Sequence, residues 1–191
     1  MVLGNPLHGE RRPGFVGTPF PGVEVRLVDE AGQVVPPGTA GELEVRSGGV
    51  FLEYWRQPDL TRAALRDGWL RTADVAVVEN GAYRLLGRLS VDIIKSGGYK
   101  ISALEVEDAL RAHPAVVDAA VVGVADPTWG ERVCAAIVLR GDAAPSPDDL
   151  QAWVKTRLSP HKVPKTVRSV PALPRNAMGK VVKPCLTAWF E

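Results

Sequence analysis

Three stretches of the sequence combine charged side chains with glycine or proline, and these residues are the best suited to chemistry. The first stretch, residues 67–74, reads DGWLRTAD and ends in Asp74, just before an apolar run. A carboxylate at the start of a strand could accept hydrogen bonds from two hydroxyls of a sugar. The alternative is an aspartate that only caps a turn. Residues 67–74 are therefore a candidate sugar-binding segment.

The second stretch, residues 87–101, combines cations with a glycine pair. Its residues of interest are Arg88, Lys95, Gly97, Gly98 and Lys100. A glycine pair lets the backbone approach a ligand closely, and clustered cations suit a ligand that carries phosphate. The alternative is a hairpin whose basic face is simply solvated.

The third stretch, residues 173–180, reads LPRNAMGK and ends in Lys180. A lysine at the tip of a loop flanked by proline and glycine can be delivered into a site on another domain. The alternative is an ordinary surface lysine, which is the commoner fate of this residue type.

Composition restricts the kinds of protein that this chain can be. The 191 residues are 46% hydrophobic and 24% charged, which is typical of a folded globular protein. A formal net charge of +1 argues against a surface built to hold nucleic acid. No apolar run approaches the roughly 20 residues that span a bilayer. The histidines are scattered, so no metal site is predicted, and Cys134 and Cys185 are both expected to be buried thiols.

β-Strands are expected to position the first stretch. Apolar and polar residues largely alternate in residues 23–28 and 42–47, which is the pattern of half-buried strands. A short helix is predicted after Pro58. Asn80 and Gly81 separate two apolar runs and predict a type I′ hairpin turn, which needs two positive φ angles.

Helices and strands are mixed after residue 88. Ser102 and Glu105 have capping-box spacing, which predicts a helix that ends before Pro114. Ser146, followed by proline and two aspartates, predicts a second helix. The other predicted elements are three strands and a closing helix, over residues 116–124, 133–139, 166–170 and 183–190.

The order and spacing of the three stretches resemble the carboxyl-terminal portion of the adenylate-forming superfamily, which includes acyl-CoA synthetases, luciferases and peptide-synthetase adenylation domains. Residues 41–58 resemble the Gly-Glu-Leu…Gly-Tyr-Trp…Pro core motif, with Glu53 where glycine is usual. Residues 69–74 resemble Trp-x-x-Thr-Gly-Asp. Residues 87–107 resemble the hinge and the loop after it, and residues 174–180 resemble the terminal Pro-x-x-x-x-Gly-Lys motif.

Within this superfamily, residues 90–107 are most similar to malonyl-CoA synthetases, including the mitochondrial acyl-CoA synthetase type. The resemblance implies an α+β fold in which a partial β-barrel subdomain is followed by a small α+β lid domain. Residues 1–88 would be the β-rich remnant of the large AMP-binding domain, and residues 89–191 would be the AMP-binding enzyme C-terminal domain.

The resemblance also implies a two-step reaction and roles for individual residues. ATP and a carboxylic acid form an acyl-adenylate, the lid rotates, and the CoA thiol then gives a thioester. Asp74 would bind the ribose hydroxyls of AMP, and Arg88 would support the ribose. Lys180 would reach the acyl carboxylate and the α-phosphate during adenylation. Lys95 would act in the second half-reaction.

The remaining implied roles concern the loop and the hinge. Gly97 and Gly98 would clear the pantetheine tunnel, and Lys100 joins them among the cofactor-binding residues. The hinge is expected among Ser90, Val91 and Asp92. The cofactors implied are ATP/AMP and CoA, with Mg²⁺ expected alongside ATP although no ligand for it is identifiable in the sequence.

Some expectations follow from departures and absences. Ala73 stands where glycine is usual, so its methyl group either crowds the nucleotide or is tolerated. The superfamily's phosphate loop and acid pocket lie upstream, so the chain is expected to be a fragment that forms no acyl-adenylate alone. The acid could be malonate, methylmalonate, a fatty acid or an aryl acid, and a non-catalytic regulatory module is the alternative. The compartment would be mitochondrial by resemblance, or cytoplasmic in a bacterium.

Overall fold

The computed structural model describes residues 2–141 and 145–191. The chain divides into two compact units, Met1–Leu89 and Ser90–Glu191. The functional boundary between residues 88 and 89 stays a prediction.

The first unit is mainly β-structure. Its elements are β1 (Leu3–Gly4), β2 (Phe15–Pro19), β3 (Glu24–Val28), β4 (Gly41–Arg46), α1 (Pro58–Ala64), β5 (Leu65–Arg66), β6 (Trp69–Glu79) and β7 (Ala82–Arg88). The strands form one curled antiparallel sheet in the order β1-β2-β7-β6-β4-β3, with β5 at the side of β6. Leu27, Leu43 and Ala76 form its core. The partial barrel expected from the sequence is confirmed.

The hairpin between β6 and β7 turns at the predicted dipeptide. Asn80 has φ 52° and Gly81 has φ 79°, as a type I′ turn requires. This turn pairs Glu79 with Ala82 and, further along, Asp74 with Arg88. The turn therefore sets the register beside it, and a one-residue shift between Val75 and Ala76 then brings Asp74 opposite Arg88.

The second unit is an α+β structure. Its elements are β8 (Ile93–Ser96), β9 (Tyr99–Ser102), α2 (Ala103–Arg111), β10 (Val116–Asp126), β11 (Gly130–Leu139), α3 (Pro147–Lys155), a 3₁₀ turn (Pro160–Lys162), β12 (Thr166–Ser169) and a closing 3₁₀ helix (Lys183–Trp189). The sheet order is β10-β11-β8-β9, and β12 joins β11 in parallel.

Strands β10 and β11 are buried on both faces. On β10, Val121 packs against α2 and α3, whereas Val122 packs against the closing 3₁₀ helix. On β11, Ala135 and Ala136 alternate in the same way. The sequence of a strand that is covered on both faces is a nearly continuous run of apolar residues. This burial explains why the valine-rich sequence of these strands shows no polar alternation.

The helix caps follow the sequence closely. The Ser102 hydroxyl accepts the Glu105 N–H, and the Glu105 carboxylate lies 2.7 Å from Lys162 Nζ. Ser146 and Asp149 form a complete capping box at the start of α3. Both helices therefore begin where the serines predict.

One expectation is made more specific and one is wrong. The predicted closing helix forms as a 3₁₀ helix over Lys183–Trp189, with Leu186 and Phe190 buried and Trp189 partly buried. Cys134 is buried, and burial raises the pKa of its thiol, but Cys185 is exposed. The apolar neighbours of Cys185 in sequence are misleading because Lys183 and Leu186 face the interior in this turn, whereas Cys185 faces solvent. In the described ranges, no helix is long and apolar enough to cross a membrane.

The closing 3₁₀ helix provides a test of this two-sided packing. Leu186 is fully buried, so we expect Leu186→Ala to lower the free energy of unfolding by about 2–5 kcal/mol. Val117→Ala on exposed β10 surface should change it far less. Chemical denaturation followed by circular dichroism measures both variants, and equal effects would contradict the packing described.

Candidate functional site

The predicted sugar-binding residues meet in the first unit. Asp74 on β6 and Arg88 on β7 are direct cross-strand partners. Arg88 Nε lies 2.8 Å from Asp74 Oδ1, and Arg88 Nη1 donates to the Thr72 carbonyl at 2.9 Å. The Asp74 side chain is 29% exposed. A carboxylate held in place by a guanidinium, yet still partly open, is suited to accept hydroxyl donors.

A bulge in β6 sets the position of Asp74. Glu44 pairs with Arg71 and Glu42 pairs with Val75, so residues 72–74 lie opposite the single residue Leu43. Inside the bulge, the Thr72 hydroxyl donates to the Leu43 carbonyl at 2.8 Å and accepts the Asp74 N–H at 3.1 Å. Bulges re-aim side chains next to functional sites. Here the bulge directs the backbone before Asp74 through hydrogen bonds that the sequence does not reveal.

Ala73 has a left-handed backbone, with φ 59°. Its carbonyl accepts the Leu89 N–H at 2.8 Å, which ties the bulge to the end of the unit. Glycine adopts this conformation without penalty, whereas alanine adopts it with strain. A glycine at this position would adopt the left-handed backbone without strain. Whether the Ala73 methyl group crowds the nucleotide stays an open expectation.

The second stretch forms the β8–β9 hairpin of the second unit. Gly97 and Gly98 have φ 57° and 82° and make its two-residue turn. Lys95 and Lys100 are direct cross-strand partners, and both are exposed. The hairpin therefore presents two cations side by side, next to a turn that needs both glycines for its own geometry.

The hairpin is braced from β11 and the turn before it. The Gly97 N–H donates to the Trp129 carbonyl at 2.9 Å, and the Lys95 N–H donates to Glu131 Oε2 at 2.5 Å. A Cβ on Gly97 would meet the Trp129 ring at 3.0 Å, whereas a Cβ on Gly98 would meet nothing within 4 Å. A larger residue at position 97 is thus disfavoured by both the Trp129 ring and the positive φ. At position 98 only the positive φ disfavours it.

Lys180 lies on an exposed loop that is internally ordered. The Asn176 side chain accepts the N–H groups of Met178 and Lys180 at 3.0 and 2.9 Å. Arg175 ion-pairs with Asp118 on β10. In the part of the chain that the structure describes, the Lys180 ammonium has no hydrogen bond or ion pair. The loop is therefore fixed while its terminal cation stays available to a ligand.

The predicted hinge residues begin the second unit. Ser90 and Val91 border a cavity of about 260 Å³, which Lys183 and Glu131 also line. Asp92 lies 2.5 Å from the ammonium of Lys183. Sequence reasoning missed Lys183, although its spacing to Leu186 and Phe190 places it on the inward face of the closing helix.

A metal centre is not assembled by the described residues. In residues 2–141 and 145–191, no group of three or more His, Cys, Asp or Glu side chains is placed to hold an ion. Mg²⁺ accompanying ATP therefore stays a prediction, and no step below depends on it.

Comparison with known families identifies the class of protein. Residues 105–180 match the AMP-binding enzyme C-terminal domain, and residues 1–55 match the AMP-binding enzyme family. The chain belongs to the family of adenylate-forming, AMP-binding enzymes.

Two of the relatives that the chain resembles are CoA ligases. The chain is 48% identical over 204 residues to mitochondrial malonate–CoA ligase ACSF3 of Bos taurus, a match that covers 96% of this chain and 35% of the bovine protein. It is 41% identical over 177 residues to feruloyl-CoA synthase of an Amycolatopsis species, with 92% of this chain and 36% of the relative covered. The chain thus spans about a third of the length of these relatives.

A solved structure agrees with these matches. The crystal structure of ATP-bound MatB from Rhodopseudomonas palustris superposes with a TM-score of 0.89 at 35% identity, covering 100% of this chain and 39% of that one. The adenylate-forming fold expected from the sequence is confirmed.

The strained bulge predicts an unusual response to glycine. Ala73→Gly should raise the free energy of unfolding by about 0.5–1 kcal/mol, because removing a left-handed penalty of about 1–2 kcal/mol outweighs the added chain entropy. Ala82→Gly in β7 is the matched control and should lower it by about 0.5–1 kcal/mol. Denaturant unfolding measures both, and a loss of stability in Ala73→Gly would refute the strain.

Proposed function

We propose that the chain is part of an acid–thiol ligase that activates malonate with ATP and transfers the malonyl group to CoA. The observation that carries the proposal is the exposed Lys180 on its ordered loop, whose ammonium has no partner among the described residues. Similarity to the malonate–CoA ligase of Bos taurus supports malonate as the acid.

The first half-reaction joins the acid to AMP. A carboxylate oxygen of the acid attacks the α-phosphorus of ATP, and the bond from that phosphorus to the leaving pyrophosphate breaks. Negative charge gathers on the oxygens between the acid and the phosphorus. Lys180 is proposed to stabilise this charge and to orient the two reactants. Asp74, held by Arg88, is proposed to accept the ribose hydroxyls of the nucleotide.

The second half-reaction transfers the acyl group. The CoA sulfur, having lost its proton, attacks the acyl carbonyl carbon, and the bond from that carbon to AMP breaks, which releases AMP. Lys95 and Lys100 are exposed on the same hairpin, and we propose that they attract the phosphates of CoA. Gly97 and Gly98 are proposed to leave room for pantetheine beside their turn.

A lid that serves both steps must turn between them. We propose Ser90, Val91 and Asp92 as the hinge, because they begin the second unit.

The feruloyl-CoA synthase relative favours an aryl acid as the second candidate substrate. The relatives include a mitochondrial protein and a bacterial one, so they are compatible with either compartment predicted from the sequence.

The roles of the two lysines can be tested in a grafted ligase. This chain would replace the segment of Rhodopseudomonas palustris MatB that it matches. Lys180→Ala should slow malonate-dependent pyrophosphate exchange by about 10²-fold or more, and should leave thioester formation from supplied acyl-adenylate within a few-fold. Exchange and thioester assays measure the two half-reactions separately.

Two further variants make this experiment decisive. Lys95→Ala should reverse the pattern by slowing thioester formation more than exchange. Lys155→Ala, an exposed lysine on α3, should leave both steps unchanged. Equal losses in both steps for Lys180→Ala would overturn its assigned role.

A further inference from the structure

Lys183 is a buried charge at the start of the closing 3₁₀ helix. It is the one lysine or arginine that is buried in the described ranges, with 8% of its surface exposed. Its ammonium lies 2.5 Å from Asp92 Oδ1 and 2.7 Å from Glu107 Oε1. Their side chains are 14% and 5% exposed. An ammonium shared by two largely buried carboxylates fixes their spacing, because burial leaves each acid little water as an alternative partner.

Each of the two acids is also bound to a further segment. The Asp92 carbonyl accepts the N–H of Ala103, the first residue of α2, at 2.7 Å. Glu107 Oε1 accepts the Val121 N–H of β10 at 2.8 Å. One ammonium therefore joins the beginning of the unit, helix α2 and the central strand.

The same lysine terminates the segment that carries Lys180. Just before it, the Val182 N–H donates to the Pro174 carbonyl at 2.8 Å. This hydrogen bond closes the base of the Lys180 loop, which we call its neck. On the opposite side of the neck, Arg175 pairs with Asp118 on β10. The Lys180 loop is thus anchored to the sheet through Arg175 and to α2 and Asp92 through Lys183.

We propose that Lys183 is a positioning residue, whose ammonium holds Asp92 and the neck of the Lys180 loop at a fixed spacing within the second unit. Its relevance to catalysis rests on the proposed function of Lys180 and of the hinge. If the lid rotates about a hinge near Asp92 between the two half-reactions, the Lys180 loop must move with the hinge end of the lid as one rigid body. Otherwise Lys180 would not reach the same position in each cycle.

Hydrogen exchange of the 191-residue chain tests this linkage without any substrate. In Lys183→Met, the amides of Ala103 and Val182 should exchange about tenfold faster or more, because both lie in segments that the ammonium holds. The amide of Thr156, which donates to Ala152 at the end of α3, should change less than about twofold. Lys180→Met, three residues away and exposed, should leave all three amides unchanged.

The result that overturns the proposal is specific. Unchanged exchange at Ala103 and Val182 would reject the linkage outright. An equal rise at Thr156 would make Lys183 a general stabilising residue only. If Lys183→Met does not fold, Asp92→Asn takes its place, since it keeps the pair between Lys183 and Glu107. It should speed exchange at Ala103 and leave Val182 within about twofold; no change at Ala103 would again overturn the linkage.

The proposed function and this inference fail in different ways. Failure of the grafted ligase would leave the exchange result intact and would reject the catalytic role of Lys180. Failure of the exchange experiment would leave the ligase assays intact and would reject the linkage through Lys183.

Discussion

The second unit depends on one requirement, that strands β10 and β11 be covered on both faces. Helices α2 and α3 cover one face, and the chain after β12 covers the other with Leu173, Leu186 and Phe190. This requirement determines where the closing segment enters and leaves the core. Lys180 lies at the surface because the segments on both sides of its loop pack into the core on this face of the sheet. The position of the candidate catalytic lysine is therefore a consequence of packing rather than of loop sequence alone.

Features that depend on neighbours in sequence could be predicted. The turn at Asn80 and Gly81 and the helix caps at Ser102 and Ser146 each involve contacts within a few residues. The order of the three polar stretches identified the family because spacing along the chain is itself sequence information. The pairing of Asp74 with Arg88 follows only partly from the turn. Counting from the turn places Asp74 opposite Gly87, and a one-residue register shift between Val75 and Ala76 brings it opposite Arg88.

Features that depend on distant parts of the chain could not be predicted. The left-handed backbone of Ala73 follows from the register of β4 against β6. The burial of Lys183 depends on Asp92, 91 residues earlier in the chain. An isolated lysine in a sequence gives no sign of such partners, and the usual expectation for it is exposure. The error at Cys185 has the same origin, because apolar neighbours in sequence do not determine which side of a 3₁₀ turn faces the core.

The two cysteines differ in a way that has a practical use. The thiolate is the form that alkylating reagents modify, and burial both shields Cys134 and disfavours its thiolate. Cys185 is exposed, two residues beyond Lys183 on the closing helix. The natural sequence thus carries one accessible attachment point for a fluorophore or spin label, already located on the segment whose motion matters. Spectroscopy of the second unit in motion needs no engineered cysteine.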